Sequence, residues 1–206
     1  MPVTYIPTQW GYSVASENGK IPPIITPGQL SEATGGRFGP DTPGVSAVLD
    51  GVSAVIRDAC GWHVSPVLDV EERTAGPGRV IALRTLMMPE DPDIEELGAE
   101  LGPGQFEWDA RGLVRRACFR EWPEGWGSVV VRYKSGIPSE SCAALLAVAS
   151  QVASNSLAAP AGVRSEQAGN VSISYNQTAS GVSGGVRLLD SDIAMLRPYM
   201  IDGVMS

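Results

Sequence analysis

The sequence predicts an α+β protein, with a small mainly helical core, a strand-rich insert and extended N- and C-terminal arms. Three observations carry this reading. Apolar residues recur at helical spacing in only two long segments, 43–61 and 139–157. The 64–134 region between them breaks into short runs rich in β-branched and aromatic residues, separated by turn sequences. The chain of 206 residues also carries 24 glycines and 16 prolines, too many for a long helical bundle and without a collagen-like period.

Residues 1–27 read as an extended arm, because prolines at 2, 7, 22, 23 and 27 suppress regular structure. The arm is apolar, with Tyr5, Ile6, Trp10, Tyr12, Ile24 and Ile25, so it docks either on its own domain or on a neighbouring subunit. Residues 28–63 form the helical part of the core. Thr26 caps a short helix with Pro27 at its first position, and Gly35-Gly36 stops it. Thr42-Pro43 repeats that start, and Val45, Val48, Leu49, Val52, Val55, Ile56 and Ala59 form one apolar face up to Cys60 and Gly61. Asp50, Arg57 and Asp58 fall on the side expected to face water.

Within the insert, strands are expected over 64–72, 80–85, 105–108, 113–118 and 128–133. Asp109-Ala110-Arg111-Gly112 predicts a hairpin turn, and Gly76-Pro77-Gly78 another turn. Residues 90–100 hold six acids and no base, the pattern of a solvated face. Residues 135–160 supply the central core helix, capped by Ser139, with Leu145, Leu146, Ala149, Val152, Ala153 and Ser156 on one face. An extended or hairpin segment covers 161–187, where Val171 to Tyr175 alternate apolar and polar. Residues 188–206 form a short helix capped by Asp190 and broken at Pro198, followed by a tail.

The charge balance is 15 basic against 23 acidic residues, net −8, which disfavours capture of nucleic acid by the whole surface. Only Lys20 and Lys134 among the bases are lysines; an arginine bias suits protein interfaces. No phosphate-binding glycine motif occurs. Gly181, Ser183 and Gly185 have the spacing of a nucleophile elbow, but polar sequence precedes them and the single histidine, His63, lies upstream. His63 reads as a packed or surface residue at a helix end. Cys60 and Cys142 read as buried hydrophobes, and Cys118 has no activating partner. The acids at 90–96 lack a calcium-loop pattern. No catalytic residue, metal site or cofactor is expected. No basic segment followed by an apolar run opens the sequence, and no 18-residue apolar run occurs; a soluble protein made in a reducing compartment is expected.

The order of several segments is informative: SAVIRDACGWH (53–63), GSVVVRYKSG (127–136), the Ala/Leu helix, GVRSEQAGNVSISY (162–175), then Leu188-Leu189 and Leu196-Arg197-Pro198-Tyr199. In this order, over residues 28–200, the chain resembles the head-to-tail adaptor (connector) proteins of long-tailed bacteriophages, particularly those of actinobacterial hosts. The resemblance implies an adaptor-like fold in a non-enzymatic virion subunit made in the host cytoplasm. It implies a homo-oligomeric ring, commonly of twelve subunits, below the portal protein. Such a ring receives a stopper, head completion protein or next connector, and passes double-stranded DNA through its lumen without sequence-specific binding. It places portal binding on the C-terminal segment, here Ile193, Leu196, Arg197, Tyr199, Met200 and Ile201. The apolar arms assign ring contacts to Tyr5, Trp10, Val171, Ile173 and Tyr175. The long N-terminal arm and the large acidic insert depart from the compact members. A head completion (stopper) or tail terminator protein is the alternative within the virion, and a small enzyme or ligand-binding protein the alternative of another class.

Overall fold

A computed structural model describes residues 4–76, 78–158 and 186–201, together with the backbone of 165–168 and 171–174. The fold is mixed α+β, with a small helical core and an antiparallel strand-rich region. The chain divides into two compact units: Met1–Pro22, Gly61–Pro138 and Ile201–Ser206 form one, and Pro23–Cys60 and Ser139–Met200 the other. The N-terminal segment therefore splits at Pro22, and its first part joins the strand-rich unit.

That first part is a hairpin. Strand β1 (Thr4–Pro7) pairs antiparallel with β2 (Ser13–Ser16), and β2 pairs with β3 (Leu68–Thr74). The expectation of an extended arm gives way for a physical reason. Pro7 ends an edge strand, where its missing N–H costs no ladder bond, while Tyr12 and Val14 are buried. The six-stranded sheet runs β1-β2-β3-β9-β5-β6, with β5 at Asp93–Glu96, β6 at Ala99–Glu100 and β9 at Val129–Ser135. A three-stranded sheet, β4 (Val80–Ala82), β8 (Leu113–Arg116) and β7 (Phe106–Trp108), runs in the order β4-β8-β7. Val70, Ile94, Val129, Val131 and Tyr133 from the first sheet and Ile81 and Val114 from the second belong to one buried cluster.

The expected hairpin forms in register, with Trp108 opposite Val114 and Phe106 opposite Arg116. Its turn closes with Gly112 N–H donating to the Asp109 carbonyl at 2.9 Å. Gly112 has φ +84°, and a Cβ there would lie 2.7 Å from Thr85 Cγ2, so only glycine fits. In the acidic run Glu90, Asp91, Asp93 and Glu100 are exposed, as expected of a solvated face, while Glu95 and Glu96 are half-buried, and several of these acids are paired. Glu96 takes Arg116 of β8 in a two-pronged ion pair at 3.2 and 2.9 Å, Glu95 pairs with Arg132 and Glu90 with Lys134. Arg116 is buried, its guanidinium also stacks over Trp122, and it donates to the Gln105 carbonyl. Arg116 thus joins the two sheets of this unit.

In the helical unit, α1 (Pro27–Ala33) carries the expected Thr26 cap. Thr26 Oγ1 accepts from Gln29 N–H at 3.2 Å, and Gln29 Oε1 accepts from Thr26 N–H at 2.8 Å. Helix α2 (Val45–Cys60) begins two residues later than the Thr42-Pro43 signal. Gly44 has φ +76°, outside helical geometry, and Thr42 Oγ1 accepts from Gly39 N–H instead of capping the helix. Arg57, expected to face water, is buried: it lies four residues after the buried Ser53 and three before the buried Cys60, on one side of the helix. At the third helix, residues Ser139–Ser141 form a 3₁₀ turn, and α3 proper is Ala143–Ala158. Its buried face is Leu145, Val148, Ala149, Val152 and Ala153; Leu146 and Ser156 are half-buried.

Strands β10 (Ser165–Ala168) and β11 (Val171–Ser174) pair antiparallel as a separate hairpin. Helix α4 (Asp190–Leu196) starts after Leu189, so Asp190 is its first residue and not its cap. Asp192 supplies the capping contact instead, accepting from Leu189 N–H at 2.9 Å. A 3₁₀ turn, Arg197–Tyr199, absorbs Pro198. Helix α3 packs against α1, α2 and α4. Among the described residues, no helix is long and apolar enough to cross a membrane.

Ala149 is fully buried, so Ala149→Glu must bury an unpaired carboxylate or force α3 from its partners. That costs several kcal/mol, on the order of the whole stability of a marginal domain. Circular dichroism melting is expected to show loss of the cooperative transition or a fall in Tm of more than about 10 °C.

Candidate functional site

The C-terminal segment carries six of the residues assigned to partner binding, and the helical unit sorts the first five of them. Leu196 is fully buried and is a core residue, not a free anchor, because the last turn of α4 packs on α2 and α3. Ile193, Tyr199 and Met200 are half-buried, and Arg197 is exposed. Met195, which the sequence reading passed over, is an exposed apolar residue on the same helix. Burial, with Cys142 and Cys60 nearby, raises the Tyr199 hydroxyl above its ordinary range. Ile201, half-buried, is the last described residue.

The other assigned residues separate. Tyr5 lies on edge strand β1 and is exposed. It lines a cleft of about 220 Å³ with Asp69, Asp91, Asp93, Arg132 and Lys134. Burial first, then Asp69 and Glu71, push its hydroxyl upward. Trp10, in the β1–β2 turn, packs partly buried against the core of its own unit, at 5.9 Å from the Tyr12 ring. Val171 and Ile173 lie on β11, and Tyr175 lies outside the described residues, as do Gly181, Ser183 and Gly185.

The residues with catalytic potential are locked into structure. His63 is fully buried. Its Nε2 lies 2.8 Å from the Ser135 carbonyl oxygen, which can only accept, so Nε2 carries the proton and donates. In the neutral ring, Nδ1 then accepts from Tyr12 Oη at 3.1 Å, and that oxygen accepts from His63 N–H at 3.0 Å. The imidazole holds Tyr12, the residue before β2, the segment after α2 and the end of β9 together, away from solvent. Burial pushes the Cys60 thiol up to about 12, which removes its thiolate at neutral pH. Among the described residues, no group of three His, Cys, Asp or Glu side chains is placed to hold a metal ion.

A second buried polar pair lies on β3 and β9. Glu72 Oε2 accepts from Tyr133 Oη at 2.8 Å and from Arg84 N–H at 3.0 Å. Burial raises the Glu72 carboxyl, partly opposed by these donors, and burial also raises the Tyr133 hydroxyl. The strand-rich unit also presents large apolar side chains to solvent that sequence reasoning missed: Leu97, Phe119 and Trp126, the last 98% exposed. The Gly125-Trp126-Gly127 spelling was the one available signal, a large aromatic between two residues that give it no cover.

No protein-family model matches this chain, and no curated protein matches it.

Glu72 yields a pH prediction. Its folded pKa is raised, so the folded state holds the proton more tightly than the unfolded chain. The stability this contributes is fully present below the ordinary value of 4.5 and is lost as pH rises through the folded value. Glu72→Gln is expected to flatten that part of the stability–pH curve, measured by urea unfolding at a series of pH values from 4 upward; an unchanged slope contradicts it.

Proposed function

We propose that this chain is a structural subunit of a bacteriophage head-to-tail connector, with an adaptor-like fold, forming a ring below the portal. The observation that carries the reading is the layout of the helical unit. Its two long helices come from chain segments on either side of a strand-rich insertion, and a short terminal helix follows, in the segment order by which the sequence resembles the adaptors. The buried state of His63 and Cys60 supports a structural role over a catalytic one. The ring, in the twelve-fold form common to such adaptors, extends the DNA channel and receives a stopper or next connector. A net charge of −8 suits a lumen along which DNA slides without phosphate capture.

In this reading the C-terminal segment meets the portal through Ile193, Met195, Arg197, Tyr199, Met200 and Ile201, with Leu196 holding α4 in place from inside. The β10–β11 hairpin, a two-stranded sheet of its own, gains stability by docking on a neighbouring subunit, since isolated hairpins are marginal in water. The six-stranded sheet favours a second reading, a head completion (stopper) or tail terminator protein, because those proteins are expected to be strand-dominated.

Mixing the purified chain with portal rings tests the proposal. Native mass measurement is expected to show ring-sized addition to the portal. Arg197→Glu combined with Met195→Asp, both at exposed positions, is expected to reduce attachment at least tenfold while leaving the melting curve unchanged. Undiminished attachment removes the C-terminal segment from the portal contact, and no attachment by the wild-type chain contradicts the adaptor reading.

A further inference from the structure

Two buried donors in the strand-rich unit have no hydrogen-bond partner, Arg79 Nε and Trp122 Nε1. Buried N–H groups are almost always paired, so each asks for an acceptor. The strand register brings them to one place. Val80 pairs with Arg115 and Ile81 with Val114, and Arg116 N–H donates to the Arg79 carbonyl at 2.8 Å. Arg79 therefore stands opposite Arg116, on the side of the sheet that carries the buried Ile81 and Val114. The Arg116 guanidinium lies over the Trp122 ring at 5.6 Å. Trp122 is fastened to the backbone beside Arg79, its main-chain N–H donating to the Gly78 carbonyl at 2.8 Å. A Cβ on Gly76 would lie 3.6 Å from Trp122 Cδ1, the ring atom bonded to Nε1, so the N–H edge of the indole is turned toward the chain that leads into Arg79.

Charge makes the same demand. Two guanidinium groups side by side need two counter-charges, and Arg116 has Glu96 at 2.9 Å. Arg79 forms no ion pair among the described residues, and so none with Glu121, the exposed acid across the Gly78–Trp122 bridge. Its half-buried guanidinium is capped by the Phe119 ring at 4.5 Å. Phe119 is 83% exposed, and it and Cys118 both sit at positive φ, +59° and +56°, a conformation that residues other than glycine seldom adopt. Backbone strain of this kind clusters at ligand clamps.

We propose that Arg79 and Trp122 form a site for one small oxyanion, a free carboxylate or inorganic phosphate, held by Arg79 Nε–H and the indole N–H beneath Phe119. One guanidinium without a counter-charge and two donors without acceptors match a ligand with one negative charge and two acceptor oxygens. Both donors lie below the surface, which suits a small free anion over the phosphates of a polymer. The site is independent of the ring reading above.

Calorimetric titration of the full chain with sodium phosphate and with sodium acetate, each at fixed ionic strength against sodium chloride, tests it. At least one anion is expected to bind at one per chain, and the tighter of the two identifies the ligand class. At saturation it is expected to raise Tm by roughly 3 °C or more. Arg79→Gln removes the charge and is expected to weaken binding at least tenfold. Trp122→Phe keeps an aromatic ring, deletes the donor and is expected to weaken binding at least threefold. Either variant decides alone where the other does not fold. Arg120→Gln, which removes an exposed arginine outside the site, is expected to leave binding unchanged. If neither anion binds, ordered water meets the two donors and the site is overturned. Binding that Arg79→Gln or Trp122→Phe leaves intact, or that Arg120→Gln weakens as much as Arg79→Gln does, reports general screening by salt and overturns it too.

Discussion

Strand β9 is the constraint on which the strand-rich unit depends. It is paired on both sides, to β3 along its whole length and to β5 over its first four residues. Val129, Val131 and Tyr133 enter the core from one face, in the period-two pattern of a half-buried strand. Its polar groups are bound as tightly as its apolar ones: Tyr133 to Glu72, Arg132 to Glu71 and Glu95, Ser135 Oγ to Thr85, and the Ser135 carbonyl to His63. A register slip of one residue would turn the valines outward and break each of these bonds. The N-terminal hairpin, the segment after α2 and the acidic strand are each placed by what they bond to on β9 or its neighbour β3.

The acidic balance of the chain acquires a structural meaning here. Strand β5 is poor in residues that favour sheets, with Asp93, Glu95 and Glu96 in four positions. It forms because arginines wait nearby, Arg132 on the adjacent β9 and Arg116 on β8 of the other sheet. The Arg116–Glu96 pair is mostly removed from water and has hydrogen bonds to spare, conditions under which a buried ion pair specifies one arrangement of the elements it joins. The exposed pairs, such as Arg115–Glu107, add little stability by comparison. The arginine bias thus serves the inside of the unit as well as any interface.

Much of this was legible in the sequence where local chemistry decides the structure. The Thr26 cap, the 106–116 hairpin with its Gly112 turn, β9 and the buried face of α2 all follow from patterns shorter than twenty residues. The failures share a cause: long-range partners overrode a local signal. Proline spacing concealed β1 and β2, because an edge strand tolerates Pro7 and the partner residues on β3 lie far along the chain, with Ser13 opposite Glu71 and Val14 opposite Val70. Six acids concealed β5, because their counter-charges lie on other strands. Arg57 was misplaced because the inward side of α2 extends through Ser53 to Cys60, and Leu196 because the resemblance gave it to a partner while α4 packs on α2 and α3. Trp126 went unread because exposure depends on what does not cover a residue, which no local pattern encodes.

A connector subunit must combine a stable body with surfaces reserved for others, and the division of labour here fits that demand. The polar groups of chemical promise are enclosed, His63 and Cys60 among them, while apolar side chains stand outside at Met195, Leu97 and Trp126. Imaging of the assembled tailed particle at side-chain resolution tests the central claim most directly. The account predicts this chain in a closed ring between portal and tail, with its C-terminal segment against the portal. Density for the chain in the capsid shell or the baseplate would contradict it.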